Sequence, residues 1–150
     1  MSSPTVITAD GQRALSPAAL PELMRSVLRR GALFRFRATG ASMSPLIRGG
    51  DTLTVAPIVR TRLRLGEVVA FVHPETNRLV VHRIVAAARG AFLLWGDRVA
   101  APDGWMPRAA ILGRVTQVER NGRRVRLGLG AERAVVALMQ RRGWLSKLLK

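Results

Sequence analysis

The spacing of hydrophobic positions changes at residue 34. Before it, Leu20, Leu23, Met24, Val27 and Leu28 recur at intervals of about three and four after Ser16-Pro17 and stop at Gly31, which predicts a short capped helix. From Phe34 the period is two: Phe34-Arg35-Phe36-Arg37 alternates apolar and charged side chains, as a half-buried strand does. Further strands are predicted at 52–55, 67–72, 79–87, 92–95, 111–120 and 123–127, separated by Gly, Pro, Asn and Asp. Asn121-Gly122 supplies a two-residue hairpin turn between the last two. Many short strands with no helix between them predict a mainly β fold, a coiled antiparallel sheet or partly open barrel, and not a βαβ arrangement.

Two segments flank this sheet. Residues 1–15 show no periodicity and read as a tail or one weakly anchored strand. From 132 to 150, Val135, Val136, Leu138, Met139, Trp144, Leu145, Leu148 and Leu149 alternate with Arg133, Arg141, Arg142, Lys147 and Lys150, interrupted at Gly143. This is a basic amphipathic helix, either packed on the sheet as a terminal helix or lying on an anionic membrane or a partner. The expected organisation is therefore a tail and short helix over 1–30, one β domain over 31–130, and a basic C-terminal segment over 131–150.

Composition narrows the chemistry. With 150 residues, 48% of them hydrophobic, the chain suits a single core. Its 25 basic residues against 9 acidic ones give a formal charge of +16, attractive to phosphates, anionic lipids or acidic peptides. The absence of cysteine excludes disulfides, a thiol nucleophile and cysteine-ligated metals. No apolar run reaches the roughly 18 residues of a membrane span, and no secretory signal is evident in the first thirty positions, so the expected location is the cytoplasm, with peripheral membrane contact left open.

The segment Thr39-Gly40-Ala41-Ser42-Met43-Ser44-Pro45, continuing to Gly49-Gly50-Asp51, follows a strand and is dense in small, turn-forming residues. Such a loop brings backbone close to a bound group, and a serine in it becomes nucleophilic if a base is near. Otherwise it is an ordinary polar loop. The bases available are few. Lysine occurs only at 147 and 150, which disfavours a serine-lysine dyad and leaves His73 and His82. His73 lies in the turn His73-Pro74-Glu75-Thr76-Asn77 and reads as solvated. His82 lies in the aliphatic strand Leu79-Val80-Val81-His82-Arg83-Ile84-Val85, which would hold an imidazole rigidly. A carboxylate to orient it comes from Asp97 or Asp103, at either end of the loop 96–104, though both positions are also turn chemistry.

Taken in order, Gly40-Ala41-Ser42-Met43-Ser44-Pro45 with Gly50-Asp51, Leu65-Gly66-Glu67-Val68-Val69-Ala70-Phe71, Val81-His82-Arg83-Ile84, Gly96-Asp97 with Asp103, and Ile111-Leu112-Gly113-Arg114-Val115 resemble the signal peptidases and LexA-like self-cleaving proteins. The resemblance covers the middle of the chain. It implies a serine endopeptidase on the LexA/signal-peptidase type of fold. His82 at the base position points to the serine-histidine branch. The implied roles are Ser42 as nucleophile, His82 as general base, Asp103 as the orienting acid with Asp97 in support, and backbone N–H groups of Gly40 and Ser42 as oxyanion donors. Gly40 stands where many signal peptidases carry a serine. No cofactor and no metal are implied; the implied partner is a peptide or protein with a flexible, extended cleavage segment. Two other classes compete: a regulatory protein on this fold whose arginines contact nucleic acid, for which the chain has no recognisable DNA-binding module and only 5% aromatics, and an inactive peptide-binding or membrane-surface module.

Overall fold

A computed structural model of the protein describes residues 5–8, 19–58, 62–126, 128–130 and 132–143. Helix α1, Ala19–Arg29, turns Met24, Val27 and Leu28 into the core, as the three-and-four spacing requires. The strands are β1 (Val6–Thr8), β2 (Leu33–Arg37), β3 (Thr52–Ala56), β4 (Val68–Val72), β5 (Leu79–Ala88), β6 (Ala91–Trp95), β7 (Gly104–Pro107), β8 (Ile111–Arg120) and β9 (Arg123–Val125). Helix α2 spans Arg133–Arg141. Residues 1–4, 9–18, 59–61, 127, 131 and 144–150 lie outside the described residues, and with them the Ser16-Pro17 start expected for the first helix and the end of the basic C-terminal segment.

The strands form one sheet in the order β1-β2-β3-β8-β4-β5-β6-β7, with β9 paired to β8. It is not closed into a barrel. It also differs from the expected antiparallel sheet, because β1 runs parallel to β2, Val6 facing Leu33 and Ile7 facing Phe34. The sheet is therefore mixed, with β1 on its edge. The ten-residue β8 is the hinge of the architecture. Its C-terminal part pairs with β3 and β9 and its N-terminal part with β4, with register shifts that bend the sheet on itself. Strand β7, four residues long, escaped the sequence pattern because a run that short carries too few positions for a period.

The bend creates two apolar clusters. One gathers α1 with Phe34, Phe36, Leu53, Val55, Val68, Ala70 and Val118. The other gathers Val69, Phe71, Ile84, Leu94, Met106 and Ile111. Alternation along β4 and β5 divides their side chains between the two, and this alternation positions the chemistry. His82 stands opposite Val69 in the β4–β5 ladder, its ring 6.1 Å from that of Phe71. Arg83, the next residue, points the other way and is completely buried.

A buried guanidinium must be answered by acceptors. Arg83 donates from Nε and Nη2 to the two carboxylate oxygens of Asp97 at 2.8 and 2.7 Å, and from Nη1 to the carbonyls of Gly66 and Gly128 at 2.8 and 2.7 Å. Four chain segments are thereby tied to one side chain. Gly66 also carries the first turn of α2, since a Cβ on it would lie 2.4 Å from the Arg133 carbonyl. Breaking such a pair leaves a buried charge unanswered, so Asp97→Asn is expected to cost about 3–5 kcal/mol of stability in denaturant titrations. A loss below about 1 kcal/mol would show that the pair does not hold the fold together.

Candidate active site

Two loops and one strand meet beside the β4–β5 ladder. Strand β5 pairs with β4 from Leu79 to Arg83, but with β6 only from Arg83 onward, so among the described residues Leu79 to His82 have no strand partner on their second edge. The loop between β2 and β3 comes up beside this edge. It is pinned at its base by reciprocal backbone bonds, the Ala38 N–H to the Asp51 carbonyl and the Gly50 N–H to the Ala38 carbonyl. Asp51 closes it further by accepting from the Arg48 N–H and from Arg120 Nε and Nη2. Burial pushes the Asp51 carboxyl up, yet the Arg120 guanidinium and the Arg48 N–H together bring it below its ordinary value.

On this loop Ser42 is exposed, and its Oγ lies 2.9 Å from His82 Nε2. On the far side of the imidazole, Nδ1 lies 2.5 Å from Asp103 Oδ2. The three groups come from segments 40 and 21 residues apart in the sequence. His82 is 5% exposed and Asp103 is partly buried, so the imidazole is held between two polar partners and an aromatic ring while the hydroxyl faces solvent. With Nδ1–H donated to Asp103, the lone pair on Nε2 is directed at the serine hydroxyl, the tautomer a general base requires. In the expected oxyanion stretch Gly40 has a φ of +83°, and the Ser42 N–H has no acceptor among the described residues.

Asp97 is placed differently from the support expected of it. Its carboxylate does not reach His82; both oxygens are taken by Arg83. Its contribution is to the shape of the 96–99 turn. There the Asp97 N–H points at Met43 Sδ, the Arg98 N–H donates to the Ser42 carbonyl at 2.9 Å, and the Gly96 carbonyl accepts from Gln140 Nε2 of α2 at 2.5 Å. Sequence reasoning had no role for Gln140, which is fully buried on a helix whose apolar residues dominate the pattern. His73 is apart from this constellation, its Nδ1 accepting from the Glu75 N–H in the β4–β5 turn.

A pocket of about 230 Å³ opens beside Ser42. Phe36, Met43, Ile47 and Leu79 to Val81 line it with apolar surface, Thr39 and Gly40 with polar backbone, and Leu20 of α1 with one more side chain. A serine hydroxyl bonded to an imidazole, beside an open strand edge and an apolar pocket, has the arrangement that attack on the carbonyl carbon of an extended acyl compound requires. No protein-family model matches the chain, and no curated protein does.

Two predictions follow from this geometry. A Cβ on Gly96 would lie 2.8 Å from His82 Nε2, 2.9 Å from the Ser42 carbonyl and 2.7 Å from Val99 Cγ2. Gly96→Ala must therefore push base and nucleophile apart, and reaction of Ser42 with an organophosphorus serine reagent should slow by about 10²-fold; an unchanged rate would show that the contact is dispensable. The lowered Asp51 carboxyl contributes its stability in full above the ordinary aspartate range and loses it as pH falls through the folded-state value. Denaturant midpoints at pH 7 and pH 3 should accordingly differ less in Asp51→Asn than in the wild type.

Proposed function

We propose that the protein is a serine endopeptidase of the signal-peptidase/LexA-like type, working by a Ser-His-Asp mechanism on a flexible leader or precursor segment. The observation that carries this reading is the unbroken series Ser42 Oγ, His82 Nε2, His82 Nδ1, Asp103 Oδ2, at 2.9 and 2.5 Å. A serine hydroxyl has little nucleophilicity unless a base removes its proton as it attacks, and His82 with its Nδ1–H donated to Asp103 would be that base.

The chemistry proceeds in two halves. Ser42 Oγ attacks the scissile carbonyl carbon as its proton passes to His82 Nε2, and the carbonyl oxygen becomes an oxyanion. The Ser42 N–H, with its neighbours at Gly40 and Ala41, stabilises that charge as it develops. Collapse of the tetrahedral intermediate breaks the C–N bond; the leaving amine takes the proton from Nε2 and departs, leaving an ester on Ser42. Water then attacks the ester with Nε2 again accepting a proton, and Ser42 leaves with that proton restored. Asp103 orients the imidazole and stabilises its cationic form throughout. Asp97 and Arg83 act only as positioning residues.

The free edge of β5 from Leu79 to Val81 suits an extended substrate added as a strand, with one side chain entering the 230 Å³ pocket. A pocket of that size fits a small or medium apolar side chain. Among the described residues no helix is long and apolar enough to cross a membrane.

The decisive experiment is mass spectrometry of a diverse peptide library, rich in leader sequences, after incubation with the wild type and with Ser42→Ala. Cleavage should occur in the first and fall by about 10³-fold or more in the second. The same products from both, or none from either, would overturn the peptidase reading and favour a binding module on this fold.

A further inference from the structure

The protein's acids are nearly all engaged inside its own structure. Among the described residues Glu22 is bonded to Arg25, Asp51 to Arg120, Glu67 to Arg114, Asp97 to Arg83, Asp103 to His82 and Glu119 to Arg35. Glu132 accepts the backbone N–H groups of Gly128 and Gly130. Among the described acids, the carboxylate of Glu75 alone, in the exposed β4–β5 turn, has no partner among the described residues. The positive charge of the surface is therefore uncompensated, and its importance depends on where an arginine meets the substrate.

Arg98 is so placed. Its backbone N–H donates to the Ser42 carbonyl at 2.9 Å, which fixes it beside the nucleophile. Its residue is exposed, and no acidic side chain pairs with its guanidinium among the described residues. The chemistry of the reaction decides which half of a substrate it faces. The leaving amine must take its proton from His82 Nε2, so the leaving half of the peptide departs past that atom. The wall at that atom is the 96–99 turn, where a Cβ on Gly96 would come within 2.8 Å of Nε2. The acyl half occupies the other direction, along Leu79 to Val81 and the apolar pocket, and Arg98 does not line that pocket.

We propose that Arg98 is a specificity-determining residue that selects substrates with an aspartate or glutamate among the first few residues on the leaving side of the cleaved bond. The inference rests on the peptidase reading above and adds to it the class of peptide taken. An exposed guanidinium-carboxylate contact is worth about twofold to fivefold in binding, is weakened by salt, and reverses sign when either charge is reversed. Arg98 thus biases selection among peptides without being a catalytic residue.

The test compares wild type, Arg98→Gln and Arg98→Glu on matched peptides derived from a cleaved library member, carrying Glu, Gln or Lys at each of the first three leaving-side positions. Wild type should prefer the Glu peptide over the Lys peptide by about fivefold or more at one position, the preference shrinking as salt is raised. Arg98→Gln should abolish the preference and Arg98→Glu should reverse it, with the effect carried by KM. Ser42-dependent cleavage that shows no acidic preference, or a preference unchanged in Arg98→Glu, overturns this proposal and leaves the peptidase reading standing. Absence of any Ser42-dependent cleavage overturns both.

Discussion

A guanidinium with no access to water stands next to His82 on β5 and is bonded to the turn that borders the candidate site. Removing an arginine and an aspartate from water costs several kcal/mol per ion, and attraction between them offsets that only when geometry is good and the remaining donors are satisfied. Arg83 meets both conditions through two bonds to Asp97 and two to the carbonyls of Gly66 and Gly128. The arrangement is all-or-none. Each acceptor belongs to a different part of the chain: the turn before β4, the turn after β6, and the turn before α2. A shift in any of them would expose an unanswered donor in the core, so the pair fixes their relative positions far more strictly than apolar packing would.

That constraint reaches Ser42 and His82 from two directions. Through the backbone of β5, Arg83 and His82 are adjacent and point to opposite faces, so anchoring one sets the height and rotation of the other. Through Asp97 it shapes the 96–99 turn, which touches the imidazole at Gly96 and the serine backbone at Arg98. Gln140 adds a third tether to the same turn, donating to the Gly96 and Val99 carbonyls from α2. Its own Oε1 is buried with no partner among the described residues, a cost offset only if the position of that carbonyl matters to the fold. Glu132, whose carboxyl is lowered by the N–H groups of its own residue and of Gly128, holds the turn from which α2 begins.

The sequence made some of this legible and hid the rest. Runs bounded by Gly, Pro, Asn and Asp located most strands, with period-two alternation clear at 34–37, and the helix at 20–28 stood out by its period of 3.6. Elimination narrowed the candidate bases to His73 and His82, since a chain with two histidines and no lysine before 147 offers few bases, whereas Ser42 stood out through the resemblance of its loop to the signal peptidases. Asp97 and Asp103 could not be separated, because Gly-Asp and Asp-Gly are turn signals whatever their carboxylates do. The discriminating residue was Arg83: an arginine inside an aliphatic strand has to find an acid, and once it takes Asp97 only Asp103 is left for His82. Sequence pattern cannot show which acid it takes, because that depends on contacts 14 residues apart that only the folded turn brings together. The parallel pairing of β1 and the four residues of β7 were hidden for a simpler reason, being too short to carry any period.

The same buried pairings account for the character of the surface. An acidic side chain that bridges strands or closes a loop is withdrawn from solvent, and this chain has few to withdraw. Asp51 closes the serine loop, Glu67 and Glu119 cross between strands to Arg114 and Arg35, and Asp97 and Asp103 are held at the candidate site. Each such bond adds local order and removes one negative charge from the exterior. With 25 basic residues against 9 acidic ones, a strongly cationic exterior accompanies an interior in which the described carboxylates are mostly engaged. A peptide approaching the free edge of β5 meets that potential before it meets any specific contact, and an acidic segment is drawn in faster than a neutral one for the same final fit.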